Sequence, residues 1–287
     1  MATVLPAPGV DLSLTMSPLA MLFGDPTIRL GANSVVRATF TPDGTGVIRA
    51  VWQPGVPEVA VEVSGDGGHW LLERAPAFLG LLDDPGDFAP QDPKLRQLWA
   101  VFRDDRVGRT ATLWHDLAWT IVQQRVHRRD AARQWRRFVE SLGDVAPGSP
   151  GLHFPPDPLK VARTPIGDLT RIGLDTRRAR ALHSAALVAN QLQRLAAGSV
   201  DDARRALSSV DGIGPWTIAC LSAFTWGDPD TVIVGDSGIP SLIASTLTGE
   251  RRADDARMMQ ILEPFRPHRY RVLRLVFAAR TRRTSQW

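Results

Sequence analysis

The apolar pattern of this chain changes period once, and that change constrains its fold more than any other feature. Up to about Pro76, β-branched and polar residues alternate between glycine, proline and aspartate punctuation, the period of strands with one buried face. Leu12–Met16, Val35–Thr41, Gly46–Trp52, Val59–Val63 and Trp70–Glu73 are the expected strands, with Pro42–Gly46 (PDGTG) as a turn. Past a proline-rich connection at Asp83–Pro93 the strand signals fade and apolar residues recur at helical spacing. The expectation is an α+β chain, with a small antiparallel β-sheet domain over 1–92 and an all-α region over 93–287. At 287 residues, the chain is long enough to bury a core in each part.

Leu117, Ile121, Val122, Val126, Trp135, Phe138 and Val139 predict one long helix or two consecutive helices from about Leu113 to Ser141. Gly143–Pro158 then holds five prolines and three glycines, too many for a helix interior, and reads as a surface loop. Further helices are expected over Leu169–Ile172, Thr176–Ala197 and Val200–Ser209.

Several function classes are excluded by composition. Met1–Leu14 lacks a basic start followed by an apolar run, and no uncharged apolar stretch of about 18 residues occurs, so neither secretion nor membrane spanning is expected. A cytoplasmic, nucleoid-associated protein is the corresponding expectation. Cys220 is the single cysteine, which leaves no internal disulfide, zinc ribbon or cysteine-ligated iron–sulfur cluster. His127 and His268 lack metal-ligand spacing and read as surface or structural residues.

A net charge of +4 does not by itself mark a nucleic-acid binder. Its distribution says more: Lys94 and Lys160 are the only lysines, and arginines cluster over Arg125–Arg137 and Arg266–Arg283. Arginine reads phosphate bidentately, although solvated helix faces are the alternative.

Val210–Thr217 (VDGIGPWT) is the sharpest motif. The helix over Val200–Ser209 stops at Asp211-Gly212-Ile213-Gly214, and a second helix begins at once, with Gly214 as its cap and Pro215 in its first turn. Gly212 and Gly214 let another backbone approach, the N–H groups of the second helix attract an anion such as a DNA phosphate, Ile213 anchors the turn, and Thr217 adds a hydroxyl. An ordinary helical hairpin is the alternative.

Leu207–Pro240 resembles the helix-hairpin-helix DNA glycosylase superfamily, in which a Gly-hydrophobic-Gly hairpin, here at about 200–226, precedes a glycine-rich loop with an aspartate. Here that loop is Ile233-Val234-Gly235-Asp236. The likeness runs back through Leu174–Leu182 and Ile121–Val126 and forward through Arg266–Arg269, covering roughly Leu113–Ala279. It is nearest to the alkyladenine (3-methyladenine) DNA glycosylase II branch, whose N-terminal sheet domain matches the strand-rich first part. The resemblance implies a two-lobed all-α helix-hairpin-helix domain after the sheet.

The implied activity is base excision from double-stranded DNA containing a damaged base, such as an alkylated purine. The nucleotide is extruded because its glycosidic bond is unreachable within the stack. Asp236 is the candidate carboxylate that stabilises positive charge on the sugar, with an N-cap of the helix through Pro240–Leu247 as its other role. Trp216, Phe277 and Cys220 match base-pocket positions of the branch, which commonly has a larger aromatic at Phe277 and a tyrosine at Cys220. A roomier pocket follows; core packing is the alternative for the two rings.

Gln124-Arg125 matches the family's wedge segment, Arg125 filling the vacated space, unless it is a solvated helix arginine. Arg125, Arg129, Arg133 and Arg136 recur at helical spacing and are expected to track phosphate, as is Arg269. Trp216 stands where lyase members of the superfamily have a Schiff-base lysine, so hydrolysis without backbone cleavage is implied. No soluble cofactor is expected, although the resemblance allows a monovalent cation on the hairpin's backbone carbonyls. A monomer is expected. Two other readings remain open: the same fold with another base specificity, and a non-catalytic DNA-binding protein that retains the hairpin.

Overall fold

The computed structural model describes residues 1–284. Five strands form one antiparallel sheet: β1 (Ala2–Pro6), β2 (Ile28–Gly31), β3 (Ser34–Thr41), β4 (Gly44–Trp52) and β5 (Glu58–Ser64), in the order β1-β5-β4-β3-β2. β5 shows the period that places it, with Val59, Val61 and Val63 turned into the core and their neighbours outward. The β3–β4 connection is tighter than the Pro42–Gly46 motif suggests, since Thr41 already pairs with Gly44, whose φ of +115° suits glycine.

Two expected strands are helices. Leu12–Met16 is α1, because the Asp11 carboxylate accepts from Leu14 N at 3.0 Å and caps a turn that the alternating sequence disguises. Trp70–Glu73 lies inside α2 (Gly68–Phe78), where Trp70, Leu71, Ala75 and Phe78 share a buried face that also covers the sheet. Two strands escape the sequence reading, β1 and β2, which lie at the sheet's edges, where β1 alternates only between exposed and half-buried residues and β2 has a single buried one.

The helical part comprises α3 (Pro93–Phe102), α4 (Leu113–Gln123), α5 (Arg128–Leu142), α6 (Pro158–Arg163), α7 (Ile166–Arg171), α8 (Thr176–Gly198), α9 (Val200–Ser208), α10 (Pro215–Phe224), α11 (Ile239–Leu247), α12 (Asp255–Leu262) and α13 (Arg269–Thr284). The stretch from Leu113 is thus two helices, broken where Arg125 takes φ of +57°. α4 is the hub of the helical core. Leu113, Leu117, Ile121 and Val122 are buried among residues of the surrounding helices. The sheet has its own core beneath α1 and α2, while the Gly143–Pro158 loop folds Ala146, Leu152 and Phe154 onto Ala38 and Val47.

The two parts meet through buried polar groups. Arg37 of β3 donates to Asp116 of α4 at 2.7 Å, and the other oxygen of that carboxylate accepts from Thr225, the C-cap of α10, at 2.8 Å. Removing one partner of such a buried pair costs roughly 3–5 kcal/mol, so the sheet helps to hold α10 in place. Asp25, in the connection before β2, accepts from Trp135 Nε1 at 2.8 Å and Trp119 Nε1 at 3.1 Å. Burial raises its pKa above the usual carboxylate range, while its bonds to Thr27 and the two indoles oppose that shift. No helix among the described residues is long and apolar enough to cross a membrane.

Candidate active site

α9 ends at Ser208, Ile213 N donates to Val210 O at 3.1 Å, and α10 starts at Pro215. The two glycines of the turn differ in role. Gly212 has φ of +80°, and a Cβ there would stand 2.4 Å from Ala181 Cβ of α8, so it packs the turn onto its neighbour. Gly214, the N-cap of α10, has φ of −112° and ψ of −178°, and a Cβ there would meet nothing within 4 Å. Its side of the turn is open to an approaching backbone. Pro215 has no N–H to lose, and the N–H groups of Trp216 and Thr217 begin the helix without intrahelical acceptors. Ile213 is buried beneath the turn, as its anchoring role requires.

Gln124 holds this hairpin from behind. Its Nε2 donates to Gly212 O at 3.0 Å and to Thr217 Oγ1 at 2.9 Å. Thr217 is 1% exposed and its hydroxyl is engaged here, so the expected contact with DNA is corrected to an internal one. Arg178 of α8 is buried and donates to Val122 O and Gln134 Oε1, each at 2.7 Å, which fixes the end of α4. Arg125 is exposed on the turn between α4 and α5, in a left-handed backbone conformation that costs a non-glycine residue about 1–2 kcal/mol.

Asp236 lies at the junction of α10 and α11. One carboxylate oxygen accepts from Gly238 N at 2.8 Å and Ile239 N at 3.0 Å, so Asp236 ties the turn into α11, whose N-cap is Gly238 and not the expected Asp236. The other faces Trp216 Nε1 at 3.4 Å and leaves a free lone pair on the half-buried side. Cys220, one turn further along α10, is buried, and burial together with the charge of Asp236 pushes its thiol pKa far up. It lines this place as a neutral group. Trp216, Cys220 and Asp236 are therefore brought together. Phe277 is 43% exposed on α13, which excludes core packing for its ring.

Other arginines are committed elsewhere. Arg269 is 8% exposed and grips Asp230 through two bonds of 2.9 and 2.6 Å. Its expected phosphate contact is corrected to a structural tie between α13 and the segment leading to Asp236. Arg136 donates to Gly24 O at 3.2 and 2.9 Å, anchoring the N-terminal part to α5, and Arg133 pairs with Asp130. Arg129 remains exposed. His268 is buried and bonded to Asp87 at 2.7 Å, as befits a structural residue, and His127 is exposed ahead of α5. Among the described residues no group of three or more His, Cys, Asp or Glu could hold a metal ion.

The sequence reading missed a groove of about 350 Å³ beside the hairpin, lined by Thr176, Arg177 and Arg180 of α8 with Asp211 and Gly212. It also missed Asp255 of α12, whose Oδ2 accepts from Gly235 N at 2.8 Å. Arg177 and Arg180 are marked in the sequence only as charges on a helix; their proximity to the turn is tertiary.

No protein-family model matches the chain. A DNA-3-methyladenine glycosylase of Bacillus subtilis (strain 168) is 25% identical over 189 residues, 63% of this chain and 61% of that protein. The match thus spans less than two thirds of the relative's length. The solved 3-methyladenine DNA glycosylase from Archaeoglobus fulgidus superposes with a TM-score of 0.80, covering 97% of this chain and 98% of that one at 21% identity. The chain has the fold of the helix-hairpin-helix DNA glycosylases. Within that glycosylase fold, an 8-oxoguanine glycosylase/lyase of Clostridium acetobutylicum is also similar, with a TM-score of 0.73, 13% identity, and 96% and 95% of the two chains covered. The glycosylase fold therefore extends over the N-terminal sheet as well as the helices, in keeping with the α+β architecture expected from the change of period.

Proposed function

We propose that this chain is a monofunctional DNA glycosylase that hydrolyses the N-glycosidic bond of alkylated purines in double-stranded DNA during base excision repair. The observation that carries the reading is the meeting of Asp236 with Trp216 at the start of the hairpin's second helix, where a helix N-terminus open to an anion and a carboxylate share one end of α10. It acts as a monomer, since one hairpin and one carboxylate suffice for one lesion, and its place of work is the cytoplasmic nucleoid.

The hairpin holds a phosphate at Gly214 and the first turn of α10, Arg125 fills the space left by the extruded nucleotide, and the base enters beside Trp216. The exposed ring of Phe277 offers a second flat face, and both rings attract the positive charge of an alkylated purine. As the bond between the anomeric carbon and the base nitrogen breaks, its electron pair leaves with the base, neutralising it. Positive charge grows on the sugar, where the Asp236 carboxylate stabilises it. A water then bonds to the anomeric carbon and gives a proton to Asp236 or to solvent.

An amine is required for backbone cleavage through a Schiff base. α10 carries no lysine, and Lys160 lies on α6 beside Asp144 at 4.0 Å. A monovalent cation on the hairpin would share backbone carbonyls that each keep a second lone pair, Gly212 O accepting from Gln124 and Val210 O from Ile213, and no step here depends on one.

The test uses duplexes carrying 3-methyladenine, 7-methylguanine, hypoxanthine or uracil, with abasic sites exposed by alkali. Strand breaks are expected after alkali and absent before it. Breaks before alkali contradict hydrolysis alone, and no breaks at any lesion contradict the enzyme reading.

Binding should fall as salt rises, and the groove beside the hairpin gives that dependence a location. Arg177→Ala/Arg180→Ala is expected to reduce the slope of log affinity against log salt by roughly 2, about 0.9 for each phosphate no longer neutralised. An unchanged slope places the phosphates elsewhere.

A further inference from the structure

We infer that Asp255 is a positioning residue for Asp236, acting through the backbone of Gly235; this rests on the reading of Asp236 as the catalytic carboxylate. α12 begins with two aspartates, and the first already caps the helix, Asp254 Oδ1 accepting from Arg257 N at 2.8 Å. Asp255 is therefore spare as a cap. A carboxylate at the first helical position ordinarily turns outward to water. This one turns inward, its Oδ2 accepting from Gly235 N at 2.8 Å across 20 residues, while its Oδ1 is buried without a hydrogen-bond partner. A buried acceptor left unpaired is costly and uncommon, and it is retained here together with a bond to the residue preceding Asp236.

That bond completes the fixing of the loop. Gly235 has φ of +79° and lies against Trp216, where a Cβ would come within 3.5 Å of Trp216 Cβ. Asp236 is held on its far side by Gly238 N and Ile239 N. Without Asp255 the Gly235 peptide is free to rotate, because glycine alone does not choose its backbone angles. The carboxylate then swings about its bonds to Gly238 N and Ile239 N. Misplacement by about 1 Å can cost on the order of a hundredfold in rate.

The experiment compares Asp255→Ala and Asp255→Asn with the wild type in three measurements: single-turnover base release, DNA affinity, and hydrogen exchange of the Gly235 amide. Asp255→Ala is expected to slow release about tenfold to a hundredfold with affinity within about threefold, and to lose the protection of the Gly235 amide. Asp255→Asn keeps an acceptor for that amide and is expected to restore both rate and protection, which a role confined to helix charge would not produce. Unchanged protection in Asp255→Ala overturns the tether, and lost protection with an unchanged rate overturns positioning. Exchange needs no catalysis, so a wild type that releases no base counts against the Asp236 reading while the tether is judged separately.

Discussion

Asp236→Asn is expected to slow base release by about a hundredfold to a thousandfold or more while leaving DNA affinity within about threefold of wild type. The substitution is nearly isosteric. Its amide oxygen can still accept from Gly238 N and Ile239 N, so the turn into α11 is kept and only the carboxylate is replaced. Asp236→Ala removes these two hydrogen bonds as well and should lower stability by about 1 kcal/mol, which urea unfolding would detect. A non-catalytic hairpin protein predicts instead that no base is released by either form.

The hairpin glycines should separate folding from binding. Gly212→Ala places a methyl group 2.4 Å from Ala181 Cβ and forces alanine to φ of +80°. Overpacking of about 1–3 kcal/mol and a left-handed cost of about 1–2 kcal/mol together give an expected destabilisation of roughly 2–5 kcal/mol. Gly214→Ala meets nothing within 4 Å, so its unfolding midpoint should match the wild type to within about 0.5 kcal/mol. DNA binding should nevertheless weaken about tenfold, because the methyl group stands where the phosphate approaches, a loss of about 1.4 kcal/mol. Binding by Gly214→Ala equal to wild type would show that DNA does not approach this turn.

What was legible in the sequence was local. The hairpin, the Asp236 loop and the helix between them lie within about thirty residues, and each announces itself by turn chemistry: Gly212 and Gly214 around Ile213, Pro215 at a helix start, Gly235 before Asp236. The strands of the sheet interior were legible because one face of each is buried. Leu12–Met16 misled because alternation over five residues fits either period, and the decisive residue was the capping Asp11 outside the window.

Pairings across the chain were not legible. Gln124 meets Gly212 and Thr217 at separations of 88 and 93 residues, and nothing in a glutamine at a helix end predicts that clamp. Arg269 has the look of a phosphate ligand until Asp230 is seen 39 residues away, and Asp255 resembles one more acidic residue in a first helical turn. Charge type is visible in a sequence, whereas whether a charge is already satisfied depends on what the fold brings to it.

The central claim, that this site severs the glycosidic bond by hydrolysis, is tested most directly by mass spectrometry of the small molecules released from an alkylated duplex in water enriched in oxygen-18. The account predicts free alkylated purine without the label, label on the anomeric carbon of an intact abasic strand, and both products about a hundredfold or more slower from Asp236→Asn. Absence of free base from the wild type, or equal release by Asp236→Asn, would contradict it.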